Sequence, residues 1–92
     1  MKTKGNDFLE KLLATFDVEA REHLQAMCSG LLELESAPSE ERCTALVEIV
    51  FREAHSLKGA ARAVNLLEIE TVCQSLEDVF SELKRGKRSL TP

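Results

Sequence analysis

The sequence predicts an all-α fold, an antiparallel up-down bundle of long helices. Apolar residues recur at steps of three and four along most of the chain, which is the spacing of amphipathic helices. The breaks between the periodic stretches are short, and short connections make consecutive helices antiparallel neighbours. At 92 residues, the chain has the length of one small domain with a thin core.

The first helix is predicted over residues 6–36. Asn6 is a candidate N-cap, and Asp7 and Glu10 place negative charge in the first turn, where the helix dipole favours it. Gly30 weakens the helix locally without interrupting its apolar stripe. The predicted inward residues are Leu9, Leu13, Phe16, Ala20, Leu24, Met27, Leu31 and Leu34.

The second helix is predicted over residues 39–63. It begins at Ser39, directly after the break at Pro38, with Glu40 and Glu41 in its first turn. It ends before Asn65, because asparagine tolerates the left-handed conformation that often follows a helix. Its predicted inward residues are Leu46, Ile49, Val50, Ala54, Leu57 and Ala61.

The third helix is predicted over residues 67–85, with Gly86 as its stop. Residues 86–92 are expected to be a tail or the start of a further helix, because Thr91-Pro92 has the pattern of an N-cap and first helical position. We therefore expect the chain to be a piece of a longer protein. The predicted inward residues are Ile69, Val72, Cys73, Leu76, Val79, Phe80 and Leu83.

Composition and charge exclude several classes of function. Twelve Lys and Arg against sixteen Asp and Glu give a net charge of −4, which argues against a nucleic-acid partner. The basic residues near the end of the third helix are interpreted as a helix terminus that runs into a linker, with nucleic-acid binding as a minor alternative; they are Lys84, Arg85, Lys87 and Arg88. No apolar run approaches the roughly 18 residues of a membrane span, and no signal peptide opens the chain.

The cysteines and histidines predict no metal centre. Cys28, Cys43 and Cys73 are odd in number and lack the CxxC spacing, so neither a disulfide framework nor a zinc site is expected. A reducing cytoplasm is the location that this cysteine usage favours. A carboxylate-bridged metal bundle needs Glu-x-x-His, and neither His23 nor His55 has a glutamate three positions earlier.

The second half of the second helix carries an unusual surface around His55. At 100° per residue, His55 lies about 160° to 180° from the inward Leu57 and Leu46, so it is predicted to point away from the core. Gly59 lies on the same face, and glycine inside a helix suggests close approach by another molecule. Three cations share this surface and have the charge to screen a phosphoryl group; they are Arg52, Lys58 and Arg62. The alternative is a solvated face with an incidental histidine.

Residues 54–61, Ala-His-Ser-Leu-Lys-Gly-Ala-Ala, resemble the phosphorylation motif of histidine phosphotransfer (HPt) domains. The likeness is greatest to the N-terminal domain of CheA-type chemotaxis kinases. Residues 19–24 and 31–35 are similar to the first helix of that family, and residues 74–78 and 83–86 to its third. The resemblance implies that residues 1–92 form one HPt domain.

The resemblance also implies a function. In such domains a histidine takes a phosphoryl group from ATP, which a separate kinase domain binds, and passes it to an aspartate of a response-regulator receiver domain. The chain would then be the phospho-accepting domain of a sensor histidine kinase, with no enzyme activity of its own and no cofactor. The alternative is a helical interaction or dimerisation module.

The family motif assigns a role to each residue around the histidine. His55 matches the phospho-acceptor, and Glu77 the glutamate that orients the imidazole from its other ring nitrogen. Lys58 is implied to position the phosphoryl group, and Gly59 to give the partner clearance. From their place on the surface around His55, and not from the family motif, three further residues are expected to contact the partners: Arg52, Arg62 and Gln74.

The sequence departs from the family pattern at several points. Gln74 occupies a position where many CheA-type domains have a second histidine, and an amide cannot titrate. Arg62 and Asn65 replace glycines. The fourth helix of an HPt bundle is missing, which should leave an apolar seam exposed and favour self-association.

Two residues also have simpler interpretations. Without the resemblance, Glu77 would be a surface charge on the third helix, about 40° from the core residue Cys73. His23 lies four residues after Glu19, and a surface pair between them is expected rather than a site.

Overall fold

A computed structural model describes residues 4–86, and these residues form three α-helices and no strand. α1 spans Lys4–Glu35, α2 spans Glu40–Ala63 and α3 spans Leu67–Lys84. The fold class is therefore the predicted all-α bundle. The tail or helix start predicted for residues 86–92 lies outside the described residues, apart from Gly86.

Residues at the helix ends mostly take the conformations that the sequence predicts. Ser39 is the N-cap of α2, and its side chain accepts a hydrogen bond from the Arg42 backbone N–H at 3.2 Å. Asn65 follows α2 with φ of 59°, and Gly86 follows α3 with φ of 72°. Both values are left-handed, so each residue ends the run of helical backbone.

The start of α1 differs from the prediction. The helix begins at Lys4, so Asn6 lies inside its first turn and is not the N-cap. An N-cap residue directly precedes the first residue with helical backbone. Lys4 and Gly5 are already helical, so Asn6 cannot be the N-cap.

The helices run antiparallel, with α2 in the middle. Glu33 near the end of α1 pairs with Arg42 near the start of α2. In the same way, Glu48 near the start of α2 pairs with Lys84 at the end of α3. Both α1 and α3 pack on α2, whereas no Cα of α1 comes within 8 Å of a Cα of α3. Among these three helices, α2 therefore packs against both of the others, whereas α1 packs against α2 and not against α3.

The core lies along the two seams of α2. At Gly30, an added Cβ would meet Val50 Cγ2 at 2.9 Å, so the absence of a side chain lets α1 approach α2 closely. This packing explains a glycine inside a helix of 32 residues. The buried apolar residues are Phe16, Ala20, Met27, Leu46, Val47, Val50, Ala54, Leu57, Ala61, Cys73 and Phe80.

Several predicted core residues are exposed, because α1 and α3 do not close on each other. Val72 on α3 is 60% exposed, and Leu24 on α1 faces it across a groove whose floor is formed by α2. The α1 stripe is covered on its α2 side only, so Leu9, Leu13, Leu24 and Leu31 are also exposed. On α2, Ile49 is exposed and Val47 is buried in its place.

Within residues 4–86, none of the helices is long and apolar enough to cross a bilayer.

Candidate functional site

His55 projects from the middle of α2 into solvent, on the side where α3 packs. Its side chain is 65% exposed, as the angular position on the helix predicts. Ala54 and Leu57 anchor this part of α2, since both are buried. The imidazole therefore stands on a rigid helix with one edge open to an incoming molecule.

Glu77 supports the imidazole from α3. Its Oε1 lies 2.6 Å from His55 Nδ1, and the residue is only 7% exposed. An ionised carboxylate can only accept, so Nδ1–H is the donor, and the neutral tautomer that this contact favours has its lone pair on Nε2. Glu77 is thus not the surface charge that its sequence position alone would suggest.

Lys58 lies one turn after His55 and pairs with the same carboxylate. Its Nζ is 2.5 Å from Glu77 Oε2, and its side chain is only 15% exposed. Burial by itself raises the pKa of Glu77, but the ammonium of Lys58 and the imidazole of His55 together hold that pKa below its ordinary value. The carboxylate is therefore ionised near neutral pH, hydrogen-bonded to His55 through Oε1 and ion-paired with Lys58 through Oε2.

The two arginines predicted to contact partners lie at the rim of this site. Arg52 Nε is 2.9 Å from Glu48, and Arg62 Nε is 2.6 Å from Glu70. Both guanidinium groups remain largely exposed. With Lys58 bound to Glu77, each of the three cations around His55 has a carboxylate partner, so the surface is less positive than the sequence suggests.

Gly59 and Gln74 flank the imidazole on α2 and α3. A Cβ built at Gly59 meets nothing within 4 Å, so internal packing does not explain the absence of a side chain. Gln74 accepts a hydrogen bond from Lys58 Nζ at 3.0 Å and donates one to Asp78 Oδ1 at 2.9 Å. Asp78 was not among the predicted site residues, although its spacing of four from Gln74 is a signal of contact on a helix.

His23 has a different partner from the one predicted. Its Nδ1 lies 2.5 Å from Glu53 Oε2 on α2, so it bridges two helices and is not a surface pair with Glu19. Both side chains are half-buried. The reason is that His23 lies on the edge of α1 that packs on α2. The pair resembles His55–Glu77, but the residue three positions after His23, where Lys58 follows His55, is Ala26 and not a lysine.

The described residues include no group of three or more metal-ligating side chains. The three cysteines are unpaired thiols, and they range from exposed at Cys28 to buried at Cys73. Burial, with the nearby charge of Glu77, raises the pKa of the Cys73 thiol, so this residue acts as an apolar core residue.

Comparison with known proteins identifies the family. The Hpt domain family matches residues 11–92. The chain is 32% identical over 80 residues to "Chemotaxis protein CheA" of Listeria monocytogenes, covering 87% of this chain and 12% of that protein. It is 31% identical over 83 residues to "Chemotaxis protein CheA" of Halobacterium salinarum, covering 90% and 12%.

A third relative is the "Sensor histidine kinase CheAY" of Helicobacter pylori, 30% identical over 86 residues, covering 94% of this chain and 10% of that protein. The chain therefore spans about a tenth of the length of these curated relatives. No solved structure gives a significant match. A family match over most of the chain, together with a histidine on an exposed helix face, leads to one conclusion: the chain belongs to the Hpt domain family, the histidine phosphotransfer domains of two-component signalling.

Proposed function

We propose that His55 accepts a phosphoryl group at Nε2 and passes it to an aspartate of a receiver domain. The observation that carries the proposal is the pairing of an exposed imidazole with a buried carboxylate, 2.6 Å from its Nδ1. This pairing makes Nε2 the nucleophile and points it outward. Family membership and the chemotaxis relatives support the same assignment.

The first step is attack of the Nε2 lone pair on the γ-phosphorus of ATP, which a separate kinase domain binds. The N–P bond forms as the bond from phosphorus to the bridging oxygen breaks, and ADP leaves. The ring then carries a positive charge, with its proton still on Nδ1. The Glu77 carboxylate stabilises that charge, in the way that a buried aspartate supports the histidine of a hydrolase triad.

The second step returns the imidazole to its starting state. A carboxylate oxygen of the receiver aspartate attacks phosphorus, the N–P bond breaks and its electron pair returns to Nε2. Lys58 sits beside the ring, where its ammonium balances charge on the phosphoryl oxygens during both steps. The chain supplies a phospho-acceptor and leaves nucleotide binding to its partner.

Partner docking is assigned to the surface around His55. Gly59 offers open space beside the ring, and Arg52 and Arg62 present exposed guanidinium groups on either side. A kinase domain and a receiver domain would use this surface in turn. We place both encounters in the cytoplasm, because three unpaired thiols suit a reducing compartment.

Phosphorylation by a kinase tests the proposal. The chain is incubated with labelled ATP and, in separate reactions, the ATP-binding domain of each of the three relatives named above. We expect an acid-labile, base-stable label on the chain, and its loss when a receiver domain is added. Absence of label with all three kinase domains would contradict the proposal.

A second candidate function is a helical interaction module. The observation that favours it is the apolar groove between α1 and α3, with Leu24 and Val72 on its two sides. Exposed apolar surface of this kind is typical of contact sites. This candidate predicts association without any dependence on His55, which separates it from phosphotransfer.

A further inference from the structure

A chain of polar contacts runs along the surface of α3 to the lysine beside His55. Asp78 lies one turn after Gln74 and accepts a hydrogen bond from its Nε2 at 2.9 Å. At its other end, the Gln74 amide accepts a hydrogen bond from Lys58 Nζ at 3.0 Å. The chain continues through the ion pair between Lys58 and Glu77 to the imidazole.

The chemistry of these groups allows one orientation of the Gln74 amide. A side-chain amide has a donor end and an acceptor end, a carboxylate only accepts and an ammonium only donates. With the amide reversed, its oxygen would face the carboxylate of Asp78 and its NH₂ would face the ammonium of Lys58. Both contacts would then be repulsive. Asp78 therefore fixes the end of the amide that Lys58 meets.

The orientation of the Gln74 amide contributes to the position of the ammonium. Lys58 Nζ donates a hydrogen bond to Gln74 Oε1 and forms an ion pair with Glu77 Oε2, and both partners lie on α3. An ammonium has three N–H donors, so these two contacts leave a third for another acceptor. Lys58 lies one helical turn after His55, so the two side chains share one face of α2.

We propose that Asp78 is a positioning residue for phosphoryl acceptance at His55, acting through the Gln74 amide on the Lys58 ammonium. The effect on phosphoryl acceptance rests on the proposed function of His55. The arrangement of Asp78, Gln74 and Lys58 rests on their hydrogen bonds alone. The competing explanation is that Asp78 and Gln74 form an ordinary i,i+4 pair that stabilises α3. That explanation predicts an effect on stability and none on the reaction.

A double-mutant cycle on the whole chain separates the two explanations. Phosphoramidate serves as a small donor that needs no kinase: Nε2 attacks its phosphorus, the N–P bond to the amide nitrogen breaks and ammonia leaves. We expect Asp78→Ala to slow uptake of the phosphoryl group about two- to tenfold, which is the lower part of the range of coupling between contacting residues. In a Lys58→Met background, the same change should have no further effect.

Two control variants and one NMR measurement accompany the cycle. Asp78→Asn keeps a carbonyl oxygen that can accept from Gln74 Nε2, so it should restore most of the rate. Asp17→Ala removes a carboxylate from a similar exposed i,i+4 pair, with Arg21 on α1, and should leave the rate unchanged. NMR of the Gln74 side-chain amide should show that its signals move in Asp78→Ala, with circular dichroism unchanged.

The outcomes distinguish this inference from the proposed function. An unchanged uptake rate in Asp78→Ala, or an equal loss with and without Lys58, would overturn the positioning role and leave His55 as acceptor. A chain that takes up no phosphoryl group from either phosphoramidate or a kinase overturns the proposed function itself. A slowed rate in Asp78→Ala that Asp78→Asn restores, and that needs Lys58, supports the inference.

Discussion

Glu77 is buried, whereas the side chain of His55, which it binds, is 65% exposed. The 2.6 Å contact between Nδ1 and Oε1 thus connects the protein interior to a surface imidazole. The arrangement suits an acceptor that must meet large partners, because the support lies behind the ring and the reactive edge lies in front. It also makes the site dependent on the packing of α3 against α2.

The first prediction concerns the identity of the acceptor. His55→Gln should abolish labelling by a kinase and labelled ATP, and helical circular dichroism should be preserved because the side chain lies outside the core. The matched control is His23→Gln, which removes the other histidine and its ion pair with Glu53. We expect this control to be labelled as strongly as the unchanged chain. Label that persists in His55→Gln would assign the acceptor elsewhere.

The second prediction tests Glu77. Glu77→Gln keeps an acceptor oxygen but removes the charge that stabilises the ring once phosphorylated. The rate of labelling should fall about 10²-fold, the low end of the effect of a positioned acid or base. Nitrogen-15 NMR of the ring should show less of the tautomer protonated at Nδ1. Glu53→Gln removes the carboxylate of the other histidine pair and should leave the rate unchanged; equal losses in both variants would rule out a specific role for Glu77.

The third prediction concerns clearance at Gly59. Gly59→Ala should raise the free energy of unfolding by about 1 kcal/mol, because alanine has the higher helix propensity and its Cβ meets nothing within 4 Å. Gly59→Leu should also fold stably, yet block transfer to a receiver domain through its bulk. Ala45→Leu adds the same side chain at an exposed position fourteen residues earlier on α2, and should transfer normally. Normal transfer by Gly59→Leu would show that no partner approaches this position.

The fourth prediction concerns stability in acid. The pKa of Glu77 is held below its ordinary value in the folded state, so at low pH the unfolded chain binds its proton first. The resulting stability is present above the ordinary carboxyl pKa of 4.5 and is lost as pH falls through the lower, folded value. Glu33 and Glu48, whose pKa values are lowered by hydrogen bonds from cations, act in the same direction.

Denaturant unfolding between pH 5 and pH 3 measures this effect. The free energy of unfolding should decrease across the range, and Glu77→Gln should decrease less because it lacks the titrating group. An equal decrease in both chains would assign the acid sensitivity to other carboxylates.

The fifth prediction concerns the groove between α1 and α3. We expect the 92-residue chain to self-associate through this apolar surface, or else to be only marginally stable. Val72→Lys places a charge in the groove and should shift sedimentation towards the monomer. Thr71→Lys adds the same charge at the adjacent exposed position outside the groove and serves as the control. A stable monomer at high concentration would contradict the prediction.

Much of this protein follows from local patterns in the sequence. The step of three and four between apolar residues predicts the helices, and Ser39, Asn65 and Gly86 mark ends because of their own backbone and side-chain chemistry. The exposure of His55 follows in the same way, since helical geometry fixes its angle from Leu57. These properties depend on residues that are close together in one helix, and the order of those residues is read directly from the sequence.

The packing of one helix on another decided which side chains are buried and which residues from different helices come into contact. Periodicity gives the direction of a side chain from its own helix axis, but not which side of the stripe a second helix covers. For this reason Val72 is exposed although it belongs to the predicted stripe, and Glu77 is buried although it lies at the edge. The bridge from His23 to Glu53 and the contact of Lys58 with Gln74 also depend on relations between helices that local spacing leaves undetermined. The sequence by itself determined that His55 faces the solvent, and only the tertiary structure decided what holds it, because the supporting carboxylate belongs to another helix.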